Sequence, residues 1–295
     1  MARIRRILQR TQPLAAAIYT SYCLLEPPAC AQRRSPLVGG DAEWYREQDE
    51  HIKLHLPLIE EARGGWWHEV TRRLRDGESA NARTQDGTTL LHVAALAGRR
   101  RLVEELLSFG ASVAQRDSRG RTPFLCAAEQ GSAAVVATIA EHVQDFDVNE
   151  QDSSGASALA LACRLGHLRL LRWLLGYQGL RLNDQDKYGV SALHKAVSFG
   201  QTACVEELLR DRRICVDQPC GMPSVPESFH AESGGETPLH LAASHTYTYH
   251  HTQHGRIARL LLAAGADPNR KTLRGRTAVR NPVWSALCSP SPSFD

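Results

Sequence analysis

"DGTTLLHVAALAGRRRLVEELLSFG", residues 86–110, carries the reading of the fold. Gly87, free to take a positive φ, turns the chain. A threonine then starts a short helix, because a hydroxyl can accept from the unpaired N–H groups of a first turn. The helix ends on the small pair Ala94-Ala95, which allows close approach to a neighbour. A second helix follows, with Leu102, Val103, Leu106 and Leu107 at helical spacing, and Gly110 ends it at the position where a left-handed residue closes a helix. His92 sits inside the first helix and raises the question of chemistry.

The block recurs. GTTLLHVAA at 87–95 lines up with GRTPFLCAA at 120–128, GASALALAC at 155–163, GVSALHKAV at 189–197 and GETPLHLAA at 235–243, and a shorter copy begins at Gly275. The turn glycines are spaced by 33, 35, 34, 46 and 40 residues. Proline after the threonine fits the first helical turn, where its missing N–H costs nothing. Apolar residues at helical spacing return in each second helix, as Leu168, Leu171, Leu174 and Leu175, and again as Ile257, Leu260, Leu261 and Leu262. A fixed period of this length is the mark of a repeat architecture.

On these residues the chain resembles an ankyrin-repeat protein, whose unit is a β-turn, G-x-T-P-L-H-x-A-A, a second helix and a G-A-D-x-N ending. Gly265-Ala266-Asp267-Pro268-Asn269 matches that ending, and Asp147-Val148-Asn149 matches part of it. The resemblance implies an all-α solenoid of stacked helix-turn-helix units with projecting β-turns. It also implies a non-catalytic interaction module or adaptor that binds a partner protein through its concave groove and turn tips. Narrower readings of that role are a ubiquitin-ligase substrate receptor and an inhibitor that retains a transcription factor. Against the first, the docking box wants leucine four residues before a cysteine and Cys288 has Trp284 there; against the second, an acidic tail is missing.

The edges depart from the pattern. Residues 57–87 read as another helix pair, with Trp66, Trp67, Val70 and Leu74 on its second helix, as a capping unit would. After Gly275, Asn281-Pro282 interrupts the first helix and a proline-serine tail follows. The expected organisation is an extension over 1–45, a repeat domain over 46–281 and a tail over 282–295.

Composition narrows the class. With 42% hydrophobic and 23% charged residues the chain reads as globular, and no apolar run approaches the roughly 18–20 residues of a membrane span. Residues 1–34 hold six arginines against Glu26, leaving 29 basic and 31 acidic residues beyond, so no field of nucleic-acid size is expected. The arginine-rich start, the apolar run LAAAIYTSYCLL and Ala29-Cys30-Ala31 fit a secretory signal, a mitochondrial presequence or an untargeted extension. Eight scattered cysteines without a C-x-x-C pair read as free thiols, which favours a cytoplasmic or nuclear location. A monomer without cofactor is expected.

Periodicity assigns His92, His194 and His240 a structural role at the start of the first helix. Leu125 and Ala160 replace the histidine elsewhere, against a shared reaction. The stretch SHTYTYHHTQHG at 244–255 places His250 and His254 four apart, a spacing that would allow Zn²⁺ or Cu²⁺, but an expanded loop between the two helices of one repeat is the preferred reading and no metal site is expected. No phosphate-cradling loop or nucleophile elbow is present.

Binding is therefore expected at positions the repeat does not fix. Arg83, Arg116, Arg119, Arg121, Lys187 and Tyr188 would form a basic, partly aromatic ridge at the turns. Leu96, Leu165 and Phe199 would line the groove. The long interval before Gly235 holds a Pro/Gly/Ser-rich insertion on the same side, with Met222, Val225 and Phe229 as contacts for a ligand.

Overall fold

A computed structural model describes residues 58–143, 146–221, 234–244 and 251–278, all within the compact unit Leu56–Asp295. The targeting-like start, the long insertion, His245, His250 and the boundaries expected at 45 and 282 lie outside the described residues. Twelve helices are described, in pairs: α1 (Leu58–Arg63) with α2 (Trp67–Arg75), α3 (Leu90–Leu96) with α4 (Arg100–Ser108), and α5 (Pro123–Gln130) with α6 (Ala133–Glu141). Then come α7 (Ala158–Leu165) with α8 (Leu168–Leu175), α9 (Ala192–Ser198) with α10 (Thr202–Leu209), and α11 (Pro238–Ser244) with α12 (His251–Ala263). The architecture is an all-helical stack of ankyrin repeats, with the turns closed by isolated antiparallel bridges at Arg83–Thr89, Gln151–Ser157, Gln185–Ser191 and Lys271–Thr277.

The helices start and stop for the reasons the sequence suggests. Thr122 accepts from the N–H of Leu125 and Ser157 from that of Ala160, while Pro123 opens α5. At the end of α4, Gly110 has φ 78°, donates to Leu107 and lets Ala111 donate back to Leu106. In the capping pair, Trp67, Val70 and Leu74 are buried, whereas Trp66 stands just before α2.

One core runs the length of the stack. The first helices bury both faces, with Leu90, Leu91, Phe124, Leu125, Leu159, Leu193 and Leu239 shielded between neighbours. Second helices contribute one stripe each, such as Val103 with Leu106 and Leu170 with Leu171 and Leu174. Such a stripe cannot be buried within one unit, so each repeat depends on the next.

Polar pairs fix the register of the joints, and two devices share the work. Asn81 donates to the carbonyl of Gly110 at 3.0 Å and accepts from the N–H of Ser112 at 2.7 Å. Asn149 clamps Gly179 and Arg181 in the same way, and Asn183 clamps Arg213 and Cys215. At the joints where Ala114 or Asp217 stands at the clamp position, and at the joint that follows α11, a histidine spans to the next unit. His92 reaches the carbonyl of Arg121 at 3.0 Å, His194 that of Glu236 at 3.2 Å and His240 that of Arg276 at 3.2 Å.

Candidate interaction surface

The turns are built around aspartates that face inward. Asp117 accepts from the N–H groups of Arg119 and Arg121, each at 2.9 Å. Asp152 does the same for Ser154 and Ala156, and Asp186 for Tyr188 and Val190. Each stands three residues before its turn glycine, a recurrence visible in the sequence that marks a structural rather than a binding position. Backbone bonds then tie tip to tip: Ser118 N–H to Asp86, Ser153 N–H to Arg119, Lys187 N–H to Ser154 and Gly221 N–H to Gly189, at 2.7 to 3.2 Å. The tips thus form a continuous edge.

The structure divides the expected ridge in two. Arg83, Arg119 and Lys187 are exposed on this edge, with Tyr188 half-buried beside them. Arg116 is also exposed, but its Nη1 donates to Gly120 at 2.6 Å and to Gln151 at 2.8 Å, stapling two turns together. Arg121 is not a surface cation. Its side chain is 15% exposed, pairs with Asp117 at 2.7 Å and also meets Glu129. Burial alone would raise the Asp117 carboxyl, yet the hydrogen bonds and charge of Arg121 bring it below its ordinary value.

In the groove, Leu165 is 42% and Phe199 50% exposed. They hold the same place in successive units, ten residues after the turn glycine, at the ends of α7 and α9. Leu96, by contrast, is half-buried against the core and offers little to a partner. Arg164 lies beside Leu165 and approaches Glu129 at 3.6 Å, so Glu129 ties charged side chains of two repeats. Leu273, 69% exposed at the last described tip, was not anticipated; its place two residues before Gly275 is the only signal.

The motif histidines are fully engaged. Nδ1 of His92 accepts from the N–H of Thr89 at 3.2 Å, which leaves Nε2–H to donate to Arg121. His194 and His240 repeat this with Ser191 and Thr237. Burial lowers all three pKa values, that of His194 to about 4, so the rings are neutral at physiological pH. His254, half of the metal spacing, packs its ring on Gly200, as His167 does on Gly131 in an earlier unit.

Comparison with known proteins follows the same units. A model of three consecutive ankyrin repeats matches residues 62–152 and 139–220, and a single-repeat model matches 234–273, so the matches break at the long insertion. Human "SH3 and multiple ankyrin repeat domains protein 2" is 34% identical over 142 residues, 48% of this chain and 8% of that protein. "NF-kappa-B inhibitor alpha" of Gallus gallus is 29% identical over 40% of this chain and 35% of that protein. The chain spans 8 to 15% of the first three curated relatives it matches. Among solved structures, the human ASB11 ankyrin repeat domain superposes with a TM-score of 0.63 at 25% identity, covering 79% of this chain and 96% of that one. The ankyrin repeat domain of Bcl-3 gives 0.60 at 23% identity, covering 76% and 92%.

Proposed function

Because the chain belongs to the ankyrin-repeat family, we propose that it is a non-catalytic adaptor whose partner protein lies along the groove between Leu165 and Phe199 and over the tips at Arg119, Lys187 and Tyr188. Ankyrin-repeat domains are generally protein-interaction modules, so the task is to find the surface. The observation that carries the choice is the pair Leu165 and Phe199, two large apolar side chains that stay about half exposed at one position of successive repeats. Other described units hold Ala97 and Gln130 there, so the apolar spot belongs to two repeats and not to the repeat as such. Aromatic and arginine side chains beside a small apolar patch are the usual anchors of a protein interface.

The repeat domain is taken to run over 46–281, between an amino-terminal extension and a short tail. The five described cysteines, Cys126, Cys163, Cys204, Cys215 and Cys220, are unpaired, which supports a reducing, cytoplasmic or nuclear setting. No described helix is long and apolar enough to cross a membrane. Neither a ligase receptor nor a transcription-factor inhibitor is favoured by a described residue; Trp284 and Cys288 lie outside them, and the likeness to NF-kappa-B inhibitor alpha covers 40% of the chain.

The test is affinity capture with the full chain and with a Leu165→Ser/Phe199→Ser variant whose circular dichroism and urea midpoint match the parent. Loss of the captured proteins in the variant is expected. Equal capture by both would remove the groove from the interaction surface.

A further inference from the structure

The charge of the tip edge has a one-sided origin. Asp117, Asp152 and Asp186 are spent on backbone N–H groups within their turns, and the turn over 271–275 carries two cations and no acid. Asp86, held by the hydroxyls of Thr84 and Thr88, is the one tip aspartate among these described turns that stays half exposed. Asp117 and Asp186 are 5% exposed at the side chain and paired with Arg121 and Lys195, at 2.7 Å and 2.8 Å. Arg83, Arg119, Lys187, Lys271 and Arg274 are exposed, and among the described residues no carboxylate pairs with them. The tip-to-tip backbone bonds hold these cations in file along one edge.

Resting on the interaction-module reading above, we infer that the occupant of this surface is an extended protein segment carrying spaced acidic residues, which meet the file of tip cations, and apolar residues, which reach Leu165 and Phe199. Arg119 and Lys187 stand two units apart, and neighbouring helices lie about 8–10 Å apart. An extended chain rises about 3.3 Å per residue, so carboxylates about six residues apart would match the two cations. Lys271 and Arg274 extend the file beyond the last described pair.

A nucleic acid fits less well. Duplex DNA presents a charge about every 1.7 Å, far denser than one or two cations per repeat, and a sugar–phosphate backbone offers nothing to Leu165 or Phe199. An acidic, apolar-studded peptide satisfies both halves of the surface. The contacts at the tips are solvent-exposed, so they steer and select a partner and weaken as salt screens them.

The test uses the full-length protein and four fluorescent probes in anisotropy titrations. One is a peptide alternating Glu and Leu at the spacing above; the second replaces Glu with Lys; the third replaces Leu with Ser; the fourth is a single-stranded DNA oligonucleotide. The acidic-apolar peptide is expected to bind most tightly, to lose at least tenfold in an Arg119→Glu/Lys187→Glu variant, and to weaken as salt is raised. Tighter binding of the lysine peptide or the oligonucleotide, no binding of the acidic peptide, or indifference to the double reversal would overturn the inference. Capture that depends on Leu165 and Phe199 but not on Arg119 and Lys187 would leave the interaction module standing and remove its acidic partner.

Discussion

His194 donates from Nε2 to the carbonyl oxygen of Glu236, 42 residues further along the chain, while its Nδ1 lies 2.7 Å from the hydroxyl of Ser191 in its own turn. One ring thereby closes the start of α9 and fastens the repeat that follows the long insertion. Protonation would break the first of these closures, because Nδ1 would become a donor facing the Ser191 N–H, while the Nε2–H bond to Glu236 would persist.

That relationship sets an acid dependence. Burial holds the His194 pKa down at about 4, whereas in the unfolded chain the ring titrates near its ordinary value of 6.5. Above 6.5 both states are neutral and the bond contributes fully; between 6.5 and about 4 the unfolded state takes up a proton that the folded state refuses, and stability falls. His92 and His240, lowered in the same direction, add to the loss. Substituting His194→Leu, as Leu125 stands in an earlier unit, should reduce this slope. It should cost about 1–2 kcal/mol at neutral pH, since the Glu236 carbonyl keeps the Cys220 N–H at 2.8 Å. Urea midpoints at pH 7.5 and pH 5 for both proteins check it, and an unchanged difference between the two pH values would rule it out.

A second joint is imperfect. Asp217 stands where Asn81, Asn149 and Asn183 clamp their neighbours; Oδ2 accepts from the Asp267 N–H at 2.9 Å, but Oδ1 is buried without a hydrogen-bond partner. An asparagine would accept through its oxygen and supply a donor in place of Oδ1. Asp217→Asn is therefore expected to stabilise the α11–α12 unit by about 1 kcal/mol. Hydrogen exchange in α12 reports on it directly: slower exchange is expected, and faster exchange would count against the clamp.

Much of this was readable beforehand, for a physical reason. Turn glycines and hydroxyl caps act within one unit and the apolar stripes recur at helical spacing, so the period displays each of them several times over. What the period does not display is which partner a side chain finds in the next unit. Arg116 reads as a binding cation from its place at a turn, yet Gln185 at the matching place makes the same pair of bonds, to Gly189 at 2.7 Å and Pro219 at 2.8 Å. Arg121 follows a turn glycine and looks exposed, but Glu129, eight residues away on the next helical turns, draws it down. The division of the joints between asparagine and histidine was hidden likewise, because each bond spans about one repeat.

Thiol reactivity should follow burial. Burial pushes Cys126 up to about 12, Cys204 up to about 11 and Cys163 well above the ordinary thiol value, while Cys215 is exposed at the joint clamped by Asn183. Since the thiolate is the nucleophile, iodoacetamide on the native protein should label Cys215 and spare Cys126, Cys163 and Cys204 until the stack is unfolded. Peptide mapping distinguishes the sites. Rapid native labelling of Cys163 would mean that α7 and α9 separate readily.

Finally, the tip edge itself can be loosened at one atom. Gly120 has φ 70°, and a Cβ there would sit 2.8 Å from the backbone nitrogen of Ser153 and closer still to its hydroxyl. The same nitrogen donates to Arg119 at 2.9 Å in the bond that ties the second tip to the third. Gly110 has a similar φ of 78° but nothing within 4 Å of the added atom. Both alanine variants therefore pay the left-handed strain of about 1–2 kcal/mol, and only Gly120→Ala adds crowding, for roughly 1–3 kcal/mol more. Gly110→Ala should shift the urea midpoint modestly, and Gly120→Ala should shift it further and speed exchange of the Ser153 amide. Equal shifts in the two variants would show that the tips are not packed against one another, and would remove the continuous edge on which the file of cations depends.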